Sequence, residues 1–435
     1  MKRVLIVSPS FPPISAADLH RVRTSAPFYT DFGWEPIILA VSPEAHGGLV
    51  ETDLVSTVPG SIAVIRTGAL PEALTRPFGI GNVALRALPQ LYAGGAAAIR
   101  EYGVDLVYFS TTMFPAVALG RIWKSQFGTP YVVDMQDAWK TDYRGAGAQN
   151  GVKARLARAM HGVLEPFAMK RVDGITAVSP VYAETLRQRY DWIQEDMCAT
   201  IPFGATAADG EAAQRMSWTN TFFDPADGRM HGVAVGRGGA DLSVAAEILF
   251  RALRIGCDRG YRPDVHLSFI GTDYASDERC RTIAPIAEAV GVPGLAEEWP
   301  ARVPYLDGLR LLGDAHFCVM LGSDDPGYSP SKVYPYLMTG RPFVAVMHAA
   351  SPVVPLLRQS GMGVVVTFES GADCSAAAAR LSSELCWVYA RAGQTLAAPA
   401  ALLESISVRE LTRRQCQAFD AAIRHASPEG IPCVE

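Results

Sequence analysis

The sequence predicts an α/β protein with two Rossmann-like domains, each built on a doubly wound parallel sheet. Short apolar runs of strand length, such as residues 4–7 and 104–110, alternate with longer segments of helical pattern, as in sheets covered by helices on both faces. A chain of 435 residues is long enough for two or three domains. A small, polar, glycine-bearing stretch at 201–214 has the composition of a hinge between domains.

The expected domain boundaries follow from these elements. Residues 1–205 should form the first domain and 206–230 the linker, while 231–400 should form the second domain. Residues 401–435 should add a C-terminal helix and end in a loose tail from residue 428.

Bulk composition argues against several classes of protein. A net charge of −5 and a pI near 6.0 disfavour nucleic-acid binding. The eight cysteines include no C-x-x-C pair, which favours free thiols in a reducing compartment over a disulfide framework or a zinc site. We expect no signal peptide, because only the apolar residues 4–7 follow Lys2 and Arg3, and no apolar run reaches the roughly 18 residues that span a membrane. The expected location is the cytoplasm, with peripheral contact at the inner face of the membrane as an open alternative.

The first domain opens with the strand at 4–7 and the loop S-P-S-F-P-P-I-S-A-A-D, which leads into a helix carrying His20, Arg21 and Arg23. Open α/β sheets bind ligands beside the carboxyl ends of their strands. This loop is therefore a candidate site. On local grounds His20 is either a surface histidine of the helix or a ligand contact.

Two carboxylates follow a later strand of the first domain, in the segment P-Y-V-V-D-M-Q-D-A-W. Asp134 and Asp137 lie at the carboxyl end of this strand, where they could orient an acceptor hydroxyl or act as its base. The alternative is capping and loop hydrogen bonding by aspartate. The basic, partly amphipathic helix expected at 144–171 either packs on the sheet or rests on an anionic membrane surface.

The second domain carries two candidate anion-binding segments. Strand residues 232–235 run into G-R-G-G at 236–239, a weak phosphate-loop signal by itself. Residues 322–346 predict a polar loop, a short helix capped by Ser329 or Ser331 and stopped by Gly340, and an apolar strand. A loop that feeds a helix N-terminus favours anions. Lys332 is then either an anion contact in the first helical turn or a solvated surface lysine.

The segment P-S-K-V-Y-P-Y-L-M-T-G-R-P-F-V-A-V at 330–346 resembles the donor-binding segment of family 4 glycosyltransferases, which have the GT-B fold. The F-P-P loop, the D-M-Q-D-A-W segment and the G-R after the first strand of the second domain resemble the same family. The resemblance implies two domains facing across a cleft, with a nucleotide-sugar in the second and the acceptor against the first. It also implies a C-terminal helix that crosses back to the first domain, retention of anomeric configuration and no metal.

The resemblance assigns roles residue by residue. It implies catalytic roles for Asp137, His20 and Asp134, and acceptor contacts for Ser15 and Arg23. Donor contacts are implied for Gly236, Arg237, Gly271, Arg302, Val303, Ser331, Lys332 and Tyr334. Asp324 and Asp325 are added as candidate donor contacts, in place of a family residue that this chain lacks.

Three departures from the family pattern accompany these assignments. Pro335 stands where the family has the glutamate that holds the nucleotide ribose, so Asp324 or Asp325 is the candidate replacement. Gln136 replaces an arginine, and residues 15–17 replace the usual glycines of the first loop.

The sequence thus predicts a glycosyltransferase of polysaccharide or glycan biosynthesis. It would move a sugar from a nucleotide-diphosphate sugar to a hydroxyl of a glycan, a lipid-linked sugar or a protein. No cofactor beyond the donor, no metal and no nucleic-acid partner are expected. Two alternatives stay open: a sugar-nucleotide epimerase of the same fold, and a non-catalytic nucleotide-sugar-binding scaffold.

Overall fold

The computed structural model describes residues 1–78, 80–140, 152–260, 264–273, 280–371 and 373–426. It divides the chain into two compact units. Within the described residues, the first unit comprises 1–140, 152–204 and 407–426, and the second comprises 205–406. The predicted tail at 428–435 and the predicted helical residues 144–151 lie outside the described residues.

The first unit contains a parallel sheet with seven strands among its described residues: β1 (Lys2–Val7), β2 (Trp34–Val41), β3 (Ala63–Thr67), β4 (Leu106–Ser110), β5 (Tyr131–Met135), β6 (Gly174–Ala177) and β7 (Cys198–Thr200). Their spatial order is β3-β2-β1-β4-β5-β6-β7, and each neighbouring pair is parallel. The order changes direction between β1 and β4. The loops that follow these two strands therefore meet at the edge where such sheets bind ligands.

The second unit repeats this arrangement with six strands in its described part: β8 (Met230–Val235), β9 (Val265–Ile270), β10 (Ala296–Trp299), β11 (Phe317–Leu321), β12 (Phe343–His348) and β13 (Gly363–Phe368). The order is β10-β9-β8-β11-β12-β13, again with parallel neighbours. Here the switch point lies between β8 and β11. The fold class predicted from the sequence, two doubly wound parallel sheets of the Rossmann type, is confirmed.

Helices connect the strands in both units. Those of the first unit are α1 (Leu19–Ser25), α2 (Pro43–His46), α3 (Glu72–Thr75), α4 (Val83–Tyr102), α5 (Ala118–Phe127), α6 (Val152–Met169) and α7 (Pro180–Arg189). Those of the second are α8 (Ala207–Arg215), α9 (Ser243–Asp258), α10 (Ala284–Val290), α11 (Tyr305–Asp314), α12 (Val333–Met338), α13 (Val354–Ser360), α14 (Cys374–Tyr389) and α15 (Ala400–Ser405), and α16 (Val408–Ala426) returns to the first unit. Short 3-10 turns occupy Ala26–Phe32, Thr52–Thr57, Arg76–Phe78, Phe114–Val117, Glu195–Met197, Ala240–Leu242 and Pro293–Leu295.

Burial on both faces explains the unbroken apolar runs of the strands. In β1, Leu5 and Val7 pack into one core cluster while Val4 and Ile6 pack into another on the opposite face. Successive strand residues point to opposite faces, so a sheet covered on both sides needs apolar residues at every position. On the second of these faces, Phe419 of α16 packs against Tyr29, Trp34 and Tyr108.

The structure differs from the sequence prediction at short or small-residue elements. The three-residue β7 and the four-residue β10 were not predicted, because so few residues carry no clear period. Residues 206–230, predicted as a linker, contain α8, and the Tyr305 hydroxyl donates to Asp209 at 2.9 Å. The sequence also predicts one helix over 382–401, but α14 ends at Tyr389 and α15 begins only at Ala400.

Candidate functional site

The loop at 236–239 follows β8 at the switch point of the second sheet. The Gly236 N–H donates to the Ile270 carbonyl at 2.9 Å, and the Gly238 N–H donates to the Thr272 carbonyl at 2.8 Å. Gly236 and Gly239 have φ of 113° and 133°, a region that residues with a Cβ rarely adopt. The glycines therefore let the loop turn sharply and lie against the end of β9 and the loop that follows it.

Arg237 projects from this loop and holds the Asp241 carboxylate. Its Nη1 donates to Asp241 Oδ1 at 2.8 Å and to the Gly238 carbonyl at 3.0 Å, and its Nη2 donates to Asp241 Oδ2 at 2.6 Å. The guanidinium also lies 5.4 Å from the centroid of the Tyr328 ring. The Arg237 side chain is 28% exposed and that of Asp241 18%, so solvent and ligands reach the pair.

Lys332 reaches the same loop from the other side of the switch point. A Cβ placed on Gly236 would lie 3.9 Å from Lys332 Cδ. Burial and the neighbouring Arg237 charge lower the pKa of Lys332 to about 8, while Asp241 opposes this shift. Two cations, Arg237 and Lys332, therefore share one partly exposed edge with the Asp241 carboxylate.

The start of α12 corrects the sequence prediction of its cap. The N-cap is Lys332, whose side chain makes no capping hydrogen bond, and not Ser329 or Ser331. Pro335 is then the third helical residue, where a backbone N–H has no intrahelical partner in any case. The proline costs the helix no hydrogen bond, and the first one runs from the Tyr336 N–H to the Lys332 carbonyl at 3.2 Å. The helix stops before Gly340, which has φ of 71°, as predicted.

Tyr336 positions α12 against β8 and was missed by the sequence analysis. Its buried hydroxyl accepts from the Val235 N–H at 2.6 Å and donates to the Val235 carbonyl at 2.9 Å. Val235 is the last residue of β8 and directly precedes Gly236. The hydroxyl thus fixes Lys332, one helical turn earlier, relative to Arg237. A tyrosine in an apolar helical segment gives no sequence signal for this contact.

Glu298 is a second residue that the sequence did not predict, and its hydrogen bonds hold the segments that contact the loop at 236–239. Its buried carboxylate accepts from Thr272 Oγ1 at 2.7 Å and from the backbone N–H groups of Thr282, Ile283 and Ala284 at 2.8–3.0 Å. Thr282 Oγ1 in turn accepts from the Gly239 N–H at 3.1 Å. The acidic pair in A-E-E-W was the only available signal, and such a pair normally indicates a solvated strand edge.

Three further donor candidates come together after β9 and β10. Gly271, with φ of 75°, lies so close to the next loop that an added Cβ would be 3.8 Å from the Val303 nitrogen and 3.9 Å from the Arg302 Cα. Arg302 is exposed and Val303 half-buried. The backbone of 302–303 therefore lies beside Gly271, and its contact with a donor stays a prediction.

The remaining donor candidates differ in accessibility. Asp324 and Asp325 are half-buried and Ser331 is exposed, but Tyr334 is only 2% exposed. Asp325 Oδ1 accepts from the Gly327 N–H at 2.8 Å, so this carboxylate closes its own turn. The Asp324 N–H donates to the Asp241 carbonyl at 2.9 Å, which ties the loop after β11 to the loop after β8.

Asp134 of the first unit is fully buried and engaged on all sides. It forms an ion pair with Arg21 Nε at 2.8 Å, with side chains 0% and 3% exposed. Ser110 Oγ, Thr176 Oγ1 and Gln136 Nε2 also donate to it at 2.8–3.0 Å. A carboxylate in this setting does not contact an acceptor, so the catalytic role expected for Asp134 is replaced by one in positioning Arg21.

Asp137, Ser15, His20 and Arg23 occupy the same carboxyl edge of the first sheet. Asp137 is exposed, and its Oδ1 accepts from the Ala138 N–H at 2.8 Å. Arg23 is 1% exposed and Ser15 5%, so contact of either with a large acceptor needs a change in the loop. His20 is half-buried, and its Nδ1 atom lies 3.1 Å from Arg23 Nη2. Because arginine only donates, Nδ1 is the acceptor and the imidazole proton sits on Nε2.

Asp18 was not predicted as a site residue, yet it links the two loops at the first switch point. Its buried carboxylate accepts from Thr111 Oγ1 at 2.7 Å and from the Thr112 N–H at 3.0 Å. Burial raises the pKa of Asp18, and the Thr111 and Thr112 hydrogen bonds and the His46 charge only partly offset it. The D-L-H-R segment gave no sequence signal beyond an ordinary helix start.

The described part of the chain holds no cluster of three or more His, Cys, Asp or Glu side chains suited to binding a metal ion. Its seven described cysteines are all free. In the same part of the chain, no helix combines the length and apolar character that crossing a bilayer requires.

A comparison with protein-family models matches residues 20–204 to the glycosyl transferase 4-like domain. A comparison of the sequence with curated proteins gives no match. The family match covers the first unit, where the sequence resemblance was more diffuse than at 330–346.

Solved structures share the fold over nearly the whole chain. A UDP-forming α,α-trehalose-phosphate synthase from Burkholderia xenovorans is 15% identical, covers 98% of this chain and 99% of its own, and superposes with a TM-score of 0.60. A sucrose-phosphate synthase from Thermosynechococcus elongatus is 14% identical, with coverages of 98% and 97% and a TM-score of 0.53. An enzyme described as a UDP-N-acetylglucosamine 2-epimerase from Listeria monocytogenes is 10% identical, with coverages of 97% and 96% and a TM-score of 0.52. The two sheets thus form a GT-B fold.

Proposed function

We propose that the protein is a glycosyltransferase, because residues 20–204 match a glycosyl transferase 4-like domain and the chain has a GT-B fold. The enzyme transfers a sugar from a nucleotide-diphosphate sugar to a hydroxyl of a glycan, a lipid-linked sugar or a protein. The single observation that carries this proposal is the convergence of Arg237 and Lys332 on the loop after β8.

In this proposal the two cations bind the donor diphosphate. As the bond between the anomeric carbon and the diphosphate oxygen breaks, negative charge grows on the leaving group, so cations placed there stabilise the transition state more than the bound substrate. An arginine fork suits phosphate oxygens and a lysine supplies a compact charge. The burial that lowers the pKa of Lys332 to about 8 also strengthens its attraction to an anion.

The acceptor hydroxyl forms the new bond to the anomeric carbon and loses its proton. We assign the acceptor to the carboxyl edge of the first sheet, where the exposed Asp137 carboxylate is the candidate group to orient the hydroxyl or take the proton. His20, with its proton on Nε2, serves as a hydrogen-bond donor to a sugar or phosphate oxygen. Retention of configuration is proposed from the family resemblance alone.

The proposal assigns neutralisation of the diphosphate to protein cations, and turnover should therefore persist without added metal. A donor-consumption assay with EDTA tests this part. If chelation abolishes turnover and Mg²⁺ or Mn²⁺ restores it, the assignment of charge neutralisation to Arg237 and Lys332 alone is wrong.

Binding of the donor is tested first by thermal shift against UDP-, GDP- and dTDP-sugars, since a ligand that binds the native state raises apparent stability. We expect one base to be selected and Lys332→Ala to weaken that binding by about 10- to 100-fold, the loss of a charge-assisted hydrogen bond. Arg254→Ala is the matched control, because Arg254 is a half-exposed cation on α9. Equal binding by Lys332→Ala and wild type would overturn the proposal.

Chemical labelling gives an independent readout of the same contact. Lys332 is the only lysine between residues 205 and 406, so acetylation of that segment by acetic anhydride reports on a single side chain. The bound donor should slow this acetylation.

Turnover assays separate the two alternative functions. Conversion of the donor without any acceptor would favour the epimerase, and binding of the donor without turnover in the presence of any acceptor would favour the scaffold.

We further propose that the enzyme works at an anionic membrane surface, through the outer face of α6. Leu156 and Val163 are both 70% exposed and Phe167 is 37% exposed. Their spacing of seven and four residues places them on one helical face. Such large apolar side chains in one exposed stripe are unusual for a surface helix.

Positive charge surrounds this stripe. Arg155, Arg158, Lys170 and Arg171 are exposed on or next to α6, and the Arg121 guanidinium lies 4.4 Å from the Phe167 ring centroid. The only acidic residue in the sequence of α6 is Glu165, which is fully buried. A basic, apolar face on a protein of net charge −5 is complementary to anionic lipid headgroups.

Vesicle sedimentation tests the membrane proposal. Wild type should bind phosphatidylcholine vesicles that contain about 30% phosphatidylglycerol and release at high salt, as expected for an electrostatic contribution. Leu156→Ser combined with Val163→Ser should abolish binding, while Leu74→Ser combined with Val181→Ser, two exposed apolar residues elsewhere on this unit, should not. Equal binding by both double variants would contradict the proposal.

A further inference from the structure

Asp241 occupies the groups of Arg237 that the proposed function assigns to the donor. Its two carboxylate oxygens accept from Nη1 and Nη2 of Arg237 at 2.8 and 2.6 Å. This is the bidentate geometry that a phosphate group uses on an arginine. We propose that the Asp241 carboxylate competes with the donor diphosphate for the guanidinium of Arg237. The carboxylate leaves Arg237 when the donor binds, and this competition lowers the affinity of the protein for the free diphosphate.

The backbone of the loop is shaped around this ion pair. A Cβ added to Gly239 would lie 2.6 Å from Asp241 Oδ1 and 2.9 Å from Arg237 Nη1. Gly239 also has φ of 133°, which disfavours any other residue. A side chain at residue 239 would therefore push the tips of Arg237 and Asp241 away from their present positions.

Asp241 also ties two loops together in the free protein. Its carbonyl accepts from the Asp324 N–H at 2.9 Å. Burial raises the pKa of Asp241, but hydrogen bonds from Arg237 and Ser323 and the Arg237 charge outweigh burial and lower it. The carboxylate is thus ionised at neutral pH, and a diphosphate beside Lys332 meets a negative charge as well as two positive ones.

This competition fits an enzyme that must release a nucleoside diphosphate after each transfer. The leaving nucleoside diphosphate carries more negative charge than the donor, so two cations without a counter-charge would bind it more tightly than the donor. A carboxylate that returns to Arg237 replaces the departing phosphate, so that neither cation is left unpaired. Asp241 is a positioning residue in this scheme, since it acts on the ligand through Arg237.

Isothermal titration with pyrophosphate, UDP and GDP tests the inference, which rests on the proposed function. Asp241→Asn should bind pyrophosphate and the selected nucleoside diphosphate about tenfold more tightly, because it removes a unit negative charge within a few ångström of the ligand. Asp241→Ser repeats the test with a second uncharged side chain, and Asp241→Glu, which restores the carboxylate, should stay near wild type.

Asp258→Asn is the matched control, since Asp258 accepts from Arg254 Nε at 2.9 and 3.1 Å through the same i,i+4 spacing on α9. It should leave all three affinities unchanged. If wild type binds and Lys332→Ala does not, but Asp241→Asn and Asp241→Ser bind no tighter than wild type, the competitor role alone is wrong. If neither wild type nor any variant binds these anions, the proposed function fails and the inference fails with it.

Discussion

The switch points of the two sheets use the same kind of ion pair in opposite ways. In the first unit Arg21 and Asp134 meet at 2.8 Å with side chains 3% and 0% exposed. In the second unit Arg237 and Asp241 meet at 2.6 Å with side chains 28% and 18% exposed. Each arginine follows the first strand of its sheet, and each pairs with a carboxylate near the carboxyl edge.

Burial and charge balance separate the two pairs. The first pair is neutral and closed, since Asp134 receives further hydrogen bonds and Arg21 Nη2 donates to the Ile201 carbonyl at 2.7 Å. The second pair has the cation of Lys332 beside it at an accessible edge. Removing one partner of a buried pair leaves an uncompensated charge in the core and is strongly destabilising. The partly exposed pair can instead exchange its carboxylate for a ligand at lower cost.

The largest expected effect is on the buried pair. Arg21→Met leaves Asp134 buried without its counter-charge and should destabilise the protein by about 3–5 kcal/mol. Arg237→Met should cost less than about 1 kcal/mol, because its pair is partly exposed. Urea denaturation monitored by circular dichroism measures both. Adding Asp134→Asn to Arg21→Met removes the uncompensated charge, keeps an acceptor oxygen for the buried donors around it, and should recover much of the loss. Equal costs for the two arginine variants would break the comparison.

The Tyr336 hydroxyl gives the next largest effect. Tyr336→Phe leaves the Val235 N–H and carbonyl without their partner at 2.6 and 2.9 Å, which should cost about 1–3 kcal/mol of stability. It should also weaken nucleoside diphosphate binding, because the hydroxyl fixes Lys332 relative to the loop after β8. Tyr389→Phe, a change on α14 away from this loop, should leave binding unaltered. A destabilised Tyr336→Phe with full affinity would contradict the positioning role.

Removing Lys332 should stabilise the protein while it weakens donor binding. The pKa of Lys332 is about 8 in the fold and has an ordinary value of 10.5. Below pH 8 the lysine is charged in both states and the folded state bears the full cost of holding the charge. Between pH 8 and 10.5 this cost fades, and above 10.5 it is gone.

Lys332→Met should therefore raise the free energy of unfolding by about 1–2 kcal/mol at pH 7. The gain should shrink as the pH rises from 8 to 10.5. Denaturation curves of wild type and variant at pH 7 and pH 10 provide the measurement. If Lys332→Met is less stable than wild type at pH 7, the charged lysine does not destabilise the folded state. Lys332 and Arg21 would then both stabilise the fold, and the contrast between them would be wrong.

The smallest effect concerns the pH dependence of binding. Because the charged form of Lys332 falls from about nine-tenths at pH 7 to about one-tenth at pH 9, affinity for the selected nucleoside diphosphate should drop about tenfold over this range. Lys332→Arg stays charged throughout and should show a much flatter profile. Titration calorimetry at pH 7, 8 and 9 decides, and identical profiles for the two proteins would exclude Lys332 as the titrating contact.

The sequence by itself determined the two doubly wound sheets and the candidate donor segments. Unbroken apolar runs such as 4–7 specify buried parallel strands, because both faces of each strand are covered. Glycines at 236 and 239 and the lysine at 332 are local signals, since a left-handed turn or a lone cation is visible without knowledge of its neighbours.

Only the tertiary structure decided how these residues are used. Asp134 and Asp137 have the same sequence signal, yet one is sealed in the core with Arg21 and the other is exposed. Tyr336 and Glu298 gained their roles from partners on other strands and loops, and Asp241 gained its role from the way its own loop folds back on Arg237. The exposure of a side chain and the charges around it depend on residues that are distant in the sequence, so a local sequence pattern does not predict them.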